Sequence, residues 1–219
     1  MSRFGVWSSP SVSAPDEGTS GTKDAKNAKA DEKDEFKLPP FPADRSVRAT
    51  SSVDGRKLDY TATVGSLPVL DEKGKTIADV MFTAYTMPGR DRAVTFALNG
   101  GPGASSVYLN LGALGPKRVQ FGAGGNSPSD PATPIDNPGT WLDFSDLVFI
   151  DPVGTGFSRA RVGEAQAKKK FYSTAADIDY LSRVIYDWLA QNQRLTAQQH
   201  LVGASYRGCR GPPPPPSPP

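Results

Sequence analysis

Two segments of the sequence, residues 99–106 and 203–208, carry the side chains that could do covalent chemistry. The second reads GASYRG and places Ser205 directly after a short apolar run. A serine on a tight turn after a buried strand is typical of the Gly-x-Ser-x-Gly elbow, which exposes a nucleophilic hydroxyl. The match is partial, because Arg207 stands where the elbow has a small residue that lets strand and helix approach closely. Ser205 is therefore a candidate nucleophile.

The first segment could supply the other half of such a site. Residues 99–106 read NGGPGASS and follow an apolar run. Glycines allow backbone N–H groups to converge on an anion, which an oxyanion hole requires. Taken alone, each segment has a plainer interpretation, namely a glycine-rich turn without a ligand and an ordinary strand-to-loop junction.

Three segments together resemble the serine carboxypeptidase family. They are residues 99–106, residues 137–158 with the strings NPGTW and DPVGTGFS, and residues 203–208. They occur in the order and approximate spacing of that family, and the resemblance covers about residues 47–211. It implies an α/β-hydrolase fold that releases the C-terminal residue of peptides through a Ser-Asp-His triad. For residues 151–158 we expect structural and pocket-lining roles.

The resemblance also assigns roles to single residues. It implies that Ser205 is the nucleophile and that the backbone N–H groups of Gly101 and Tyr206 form the oxyanion hole. Asn99, with Gly100 beside it, matches the residues that bind the terminal carboxylate of the substrate. A neutral amide donor near the nucleophile suits that task. The expected partner is thus a peptide with a free C-terminus.

The sequence departs from the family pattern after residue 203. Ala204 stands where the family has a glutamic acid that shares the carboxylate-binding task, and Cys209 stands where tyrosine is common. An α/β hydrolase supplies its triad in the order serine, acid, histidine, and no acidic residue or histidine follows Ser205. His200 precedes Ser205 by roughly 16 Å of strand, too far to act as its base. We therefore expect this chain to be inactive.

The elements around these segments predict an α/β fold. Alternating polar and apolar residues predict antiparallel strands, and continuous apolar runs indicate strands that are buried on both faces. With the resemblance, they predict an α/β-hydrolase-type, mostly parallel sheet with antiparallel strands at its start, truncated after the nucleophile elbow. The expected strands are residues 57–64, 67–70, 77–87, 93–98, 147–150 and 200–203.

One helix is predicted clearly, over residues 174–191. Its apolar residues recur at helical spacing, and Thr174 with Asp177 resembles a capping box. It would form the crossover between two parallel strands. Residues 121–140 are rich in Gly, Pro, Asn and Asp, which predicts a long surface loop.

Composition limits the possible partners. The net charge of +2 arises from 25 basic and 23 acidic residues, a balance that gives no strong field for nucleic acid. A single cysteine and a single histidine offer neither an internal disulfide nor a zinc site, and we expect no cofactor. We find no apolar run suited to a signal peptide or membrane anchor, although the resemblance suggests an exported or periplasmic protein. Localisation and oligomeric state stay open.

We predict three regions. Residues 1–46 would be a disordered charged arm, residues 47–211 the N-terminal part of an α/β-hydrolase domain, and residues 212–219 a polyproline tail. Without the elements that follow the elbow in this fold, one sheet edge would be unpaired, so we expect poor solubility.

Two other functions remain open. A non-catalytic binding protein would keep the glycine-rich region as a ligand pocket and dock its proline tail in an SH3- or WW-type groove. An esterase or acyltransferase would use the same fold on another substrate, and Ala204 lends that alternative some support.

Overall fold

The computed structural model describes residues 39–89, 91–99, 103–120 and 133–204. The chain divides into two compact units, Met1–Lys33 and Asp34–Pro219, and all described residues belong to the second. The proline tail and most of the charged arm lie outside the described residues, so the predicted boundaries of the three regions stay predictions.

A seven-stranded mixed sheet forms the frame of the domain. Its strand order is β1-β2-β3-β7-β4-β9, and β8 pairs with β3. A separate hairpin joins β5 to β6. The strands are β1 (Arg45–Val53), β2 (Arg56–Leu70), β3 (Thr76–Thr86), β4 (Ala93–Leu98), β5 (Lys117–Gln120), β6 (Thr133–Asp136), β7 (Ser145–Ile150), β8 (Arg159–Ala160) and β9 (Gln199–Gly203).

The sheet confirms the α/β class and the antiparallel strands at its start, but it is not mostly parallel within the described residues. Strands β1, β2, β3 and β7 pair antiparallel, and only β7, β4 and β9 run parallel. The antiparallel part is large because β1 and β2 form a long hairpin. At its turn, Asp54 and Gly55 have φ values of 48° and 77°, which match the twist of paired strands.

Strand β2 is longer than the sequence predicts. The two predicted strands at 57–64 and 67–70 form one strand of 15 residues. Gly65 lies in its middle, where the carboxylate of Asp44 packs so closely that a Cβ atom on Gly65 would lie 2.4 Å from it. Gly65 therefore marks a close approach and not the end of a strand.

Helix α3 spans Thr174–Gln191, as predicted, but its cap differs. The N-cap is Ser173, whose Oγ accepts a hydrogen bond from the Ala176 N–H at 3.2 Å. The predicted capping box of Thr174 and Asp177 is therefore wrong by one position, since Thr174 is already helical. Helices α1 (Val107–Leu109) and α2 (Glu164–Phe171) precede it.

The two faces of the sheet carry separate apolar clusters. Helix α3 covers one face, where Trp188 meets Phe96 edge-on with ring centroids 5.6 Å apart. On the other face, Tyr85 lies edge-on between Tyr60 and Phe149, at 5.7 Å and 5.9 Å. Side chains alternate between the faces along each strand, which explains why the central strands are apolar throughout.

The predicted loop at 121–140 is wrong in its last part. Residues 133–136 form β6, and a 3₁₀ turn follows at Trp141–Asp143. Strand β6 is held from outside its own sequence, because Asp136 accepts a hydrogen bond from the Ser52 N–H of β1 at 3.1 Å and pairs with Lys117 of β5. Residues 121–132 lie outside the described residues.

A buried ion cluster lies at the start of β7. Asp146 is fully buried and accepts from Arg92 Nε at 2.9 Å and from Arg194 Nη1 at 2.6 Å. Arg194 also donates to the main-chain oxygen of Arg92, and Arg92 donates to that of Leu142 at 2.5 Å. The cluster ties the starts of β4 and β7 to the turn after α3.

A second cluster holds the segment before β1. Arg159 and Arg161 both pair with Asp79, at 3.3 Å and 2.7 Å. The guanidinium of Arg159 lies 4.0 Å from the ring centroid of Phe41 and donates to the main-chain oxygen of Pro39. Pro39 and Phe41, which fall within the predicted arm, therefore contact the domain.

Candidate active site

The two chemistry-bearing segments follow adjacent parallel strands. Strands β4 and β9 pair so that Leu98 is opposite Gly203, and the Ala204 N–H donates to the Leu98 main-chain oxygen at 3.2 Å. Asn99 follows the first strand directly, and Ala204 follows the second. The positions that lead into residues 99–106 and 203–208 therefore lie side by side at one edge of the sheet.

Of the predicted site residues, the structure describes one. Asn99 is partly buried at the end of β4. Ser205, Tyr206, Gly100 and Gly101 lie outside the described residues, so their predicted roles remain predictions. His200 is exposed on β9 opposite Thr95, in the strand position that the sequence predicts for it.

Ser106 fixes the far end of the glycine-rich segment. Its Oγ accepts from the Asn99 N–H at 3.1 Å and donates to the Ile150 main-chain oxygen at 2.5 Å. Ser106 is almost fully buried. Both ends of the segment are thus joined to each other and to the end of β7, although sequence reasoning did not single out Ser106.

Asp151 holds the same region through its carboxylate. It accepts from the Ser105 hydroxyl at 3.0 Å and 3.1 Å and from the Ser106 N–H at 2.7 Å. Hydrogen bonds to a carboxylate are stronger than those between neutral groups. Asp151 is therefore the main anchor of the turn after the glycines, which is the structural role expected of residues 151–158.

The loop after Asp151 is shaped to leave room for this carboxylate. Gly156 has a φ of 53°, and a Cβ atom on it would lie 2.0 Å from Asp151 Oδ2. Ser158 closes the loop, since its Oγ accepts from the Met81 N–H at 2.7 Å and donates to the Asp151 main-chain oxygen at 2.5 Å. Only glycine fits at position 156 without strain.

The chain continues from Ser106 into α1 and then into a π-helical turn at Asn110–Leu114. The Gly115 N–H donates to the Asn110 main-chain oxygen at 2.9 Å, the i to i+5 bond of such a turn. π-Helical turns are rare and often lie at functional sites. This one widens the backbone directly beside the candidate site.

The NPGTW string closes that turn. Asn137 Nδ2 donates to the main-chain oxygens of Ala113 and Gly115, at 2.7 Å and 2.8 Å, and Thr140 Oγ1 donates to that of Leu114 at 2.8 Å. The last carbonyl groups of a helix lack partners within it. The string therefore acts as a cap, which the sequence signalled by its composition but not by its role.

Electrostatics beneath the turn keep the site neutral. Burial raises the pKa of the Tyr85 hydroxyl, an effect that a hydrogen bond with Asn110 partly offsets. Tyr85 therefore stays protonated at physiological pH. Within the described ranges, no group of three His, Cys, Asp or Glu side chains is placed to hold a metal ion. No helix in the described part of the chain is long and apolar enough to cross a membrane.

A mixed sheet with helices on it and glycine-rich turns at the ends of its parallel strands places the chain in the α/β class. The family model described as serine carboxypeptidase matches residues 57–213. The match spans more than half of the chain, which therefore belongs to the serine carboxypeptidase family.

Curated relatives carry related names. The chain is 46% identical over 125 residues to a pheromone-processing carboxypeptidase kex1 of Talaromyces marneffei, which covers 54% of this chain and 17% of that protein. It is 38% identical over 95 residues to the KEX1 carboxypeptidase of Pyricularia oryzae, covering 43% and 13%. It is 28% identical over 172 residues to serine carboxypeptidase-like 36 of Arabidopsis thaliana, covering 77% and 33%. The matches thus span a third or less of each relative's length.

Proposed function

We propose that the protein is a serine-type carboxypeptidase that hydrolyses C-terminal peptide bonds, with Ser205 as its nucleophile. The observation that carries the proposal is the pairing of Leu98 with Gly203 and the Ala204 to Leu98 hydrogen bond. These contacts bring the positions before Ser205 next to Asn99. A carboxypeptidase needs that proximity, because the terminal carboxylate lies one residue from the bond to be cut.

The proposed roles divide between attack and recognition. Ser205 attacks the scissile carbonyl, and the N–H groups of Gly101 and Tyr206 stabilise the oxyanion that forms. Asn99 and Gly100 bind the free carboxylate. The bonds from Asn99 to Ser106 and from Ser106 to Asp151 support these roles, since they hold the glycine-rich segment at both ends.

The chain as printed would be a poor catalyst by itself. It contains no acidic residue or histidine after Ser205, so the serine hydroxyl has no base from the positions that the fold uses. Removing triad partners leaves only the residual catalysis of oxyanion donors and binding. Ala204, in place of the family's glutamic acid, would also weaken the hold on a free carboxylate.

The proposal is tested by binding and by turnover on the full chain. We expect an N-acetylated peptide with a free C-terminus to bind more tightly than its C-terminal amide, and Asn99→Ala to remove that difference. We also expect release of the C-terminal residue to equal that of the Ser205→Ala variant. Equal affinity for acid and amide would contradict carboxylate recognition, and Ser205-dependent release would contradict the expected inactivity.

An esterase or acyltransferase is the second candidate, and Ala204 favours it because a weaker carboxylate site suits a substrate without a free C-terminus. A p-nitrophenyl ester separates the two. A burst of p-nitrophenol that requires Ser205, together with no preference for peptide acids, would support the esterase.

A further inference from the structure

A cavity of about 380 Å³ adjoins the candidate active site. Met81 and Thr83 of β3 and Phe149 of β7 form its floor. Ser105 to Asn110 form one wall, and the loop with Phe157 forms the other. This face of the sheet is opposite the one that α3 covers.

The cavity is joined to Asn99 through Ser106. Ser106 lines the cavity, and its Oγ accepts the Asn99 N–H at 3.1 Å. A peptide held by its terminal carboxylate at Asn99 would therefore place its last side chain nearer this cavity than any earlier side chain.

The polar groups of the cavity wall are already engaged. Ser105 Oγ donates to Asp151, and Ser106 Oγ bonds to both Asn99 and Ile150. The Oδ1 atom of buried Asn110 has no hydrogen-bond partner, but it lies against Gly115, where a Cβ atom would be 2.4 Å away. The surface left for a ligand is thus mainly apolar, and the carboxylate of Asp151 disfavours an acidic group.

Phe157 completes the cavity with an exposed aromatic ring. Its side chain is 77% exposed, yet its loop is held by the Ser158 bonds to Met81 and Asp151. An aromatic ring kept in solvent on an ordered loop can bury area against an apolar guest.

We infer that this cavity is the pocket for the C-terminal side chain of a peptide substrate, and that it selects large apolar or aromatic residues through Phe157. The inference rests on the proposed carboxypeptidase function. Ligand pockets of this kind combine apolar walls with a few polar groups that fix orientation.

The test uses the full chain and three N-acetylated tripeptides, Ala-Ala-Phe acid, Ala-Ala-Ala acid and Ala-Ala-Phe amide, titrated by calorimetry. We expect the Phe acid to bind about tenfold or more tightly than the Ala acid, as burial of an aromatic side chain implies. Phe157→Ala should reduce that preference to about twofold or less while leaving Ala-acid binding unchanged. Tyr186→Ala is the matched control, because Tyr186 is an exposed aromatic on α3.

Each outcome decides between the two ideas. Equal binding of Phe and Ala acids, with a preference for acid over amide, overturns the pocket but leaves the carboxypeptidase proposal intact. A preference for Phe without any preference for acid supports an apolar pocket and overturns its link to the C-terminus. Tighter binding of a Lys- or Glu-ending peptide than of the Phe acid overturns the assigned selectivity. No binding of any peptide overturns both proposals.

Discussion

Gly156 and Asp151 approach so closely that a Cβ atom on Gly156 would lie 2.0 Å from the Asp151 Oδ2 atom. The contact lets the carboxylate reach Ser105 and Ser106, so a larger residue at 156 must displace it. We predict that Gly156→Ala lowers the free energy of unfolding by about 1–3 kcal/mol, from this clash and from the positive φ.

Urea unfolding monitored by circular dichroism measures this effect. Gly112→Ala is the control, because a Cβ atom on Gly112 would have no other atom within 4 Å. It should be neutral or slightly stabilising. Equal stability of the two variants would show that the close approach does not constrain the loop.

The buried ion cluster should be sensitive to the loss of its acid. Asp146→Ala leaves Arg92 and Arg194 largely buried without their carboxylate, and breaking a buried pair in this way costs about 3–5 kcal/mol. The exposed pair of Lys168 and Glu164 gives the comparison. Glu164→Gln should change the stability by less than about 0.5 kcal/mol. Similar effects of the two substitutions in urea unfolding would contradict the importance of burial.

The β5–β6 hairpin should weaken in acid. The hydrogen bond from Lys117, followed by that from the Ser52 N–H, lowers the pKa of Asp136. A lowered folded pKa stabilises the protein above the unfolded value and loses that effect as pH falls through the folded value. We therefore expect the difference in urea midpoint between the parent chain and Asp136→Asn to be constant near pH 7 and to disappear below about pH 4. A difference that persists at pH 2 would contradict this account.

The free side of β9 should promote association. In the described part of the chain, β9 pairs only with β4, and Leu201 of β9 and Ile178 of α3 are 50% and 42% exposed. A charged residue on an exposed strand edge opposes pairing with another chain. We predict that Leu201→Lys raises the soluble monomer fraction in size-exclusion chromatography. Leu195→Lys, at an exposed residue outside the strands, is the control. A sharp thermal transition of the unmodified monomer would contradict the expected poor solubility.

Local patterns predicted the central elements well. Helix α3 and the strands around residues 93–98 and 147–150 followed from periodicity and apolar runs, because their burial is decided by their own side chains. Ser173 was missed as the N-cap because Thr174 offers the same type of hydroxyl one residue later. Strand β6 was missed because its partners, Ser52 and Lys117, lie far away in the sequence.

The site was predictable in outline but not in its supports. The motif order indicated that Asn99 follows a strand beside the one before Ser205, and the β4–β9 pairing agrees with that arrangement. The bonds from Asp151 to Ser105 and Ser106 join residues 45 and 46 positions apart. No local pattern reveals such contacts, since they depend on the register of β7 against β4.

The ion cluster around Asp146 has a consequence for synthesis on the ribosome. Its bonds join residues that are 54, 48 and 102 positions apart in the chain. Asp146 and Arg92 can meet while the rest is still being made, but the second arginine emerges only after α3 has been translated. Domains fold as their segments leave the ribosome. During that interval Asp146 has half of its final charge partners, so the emerging chain passes through a stage in which the base of the sheet is only partly neutralised.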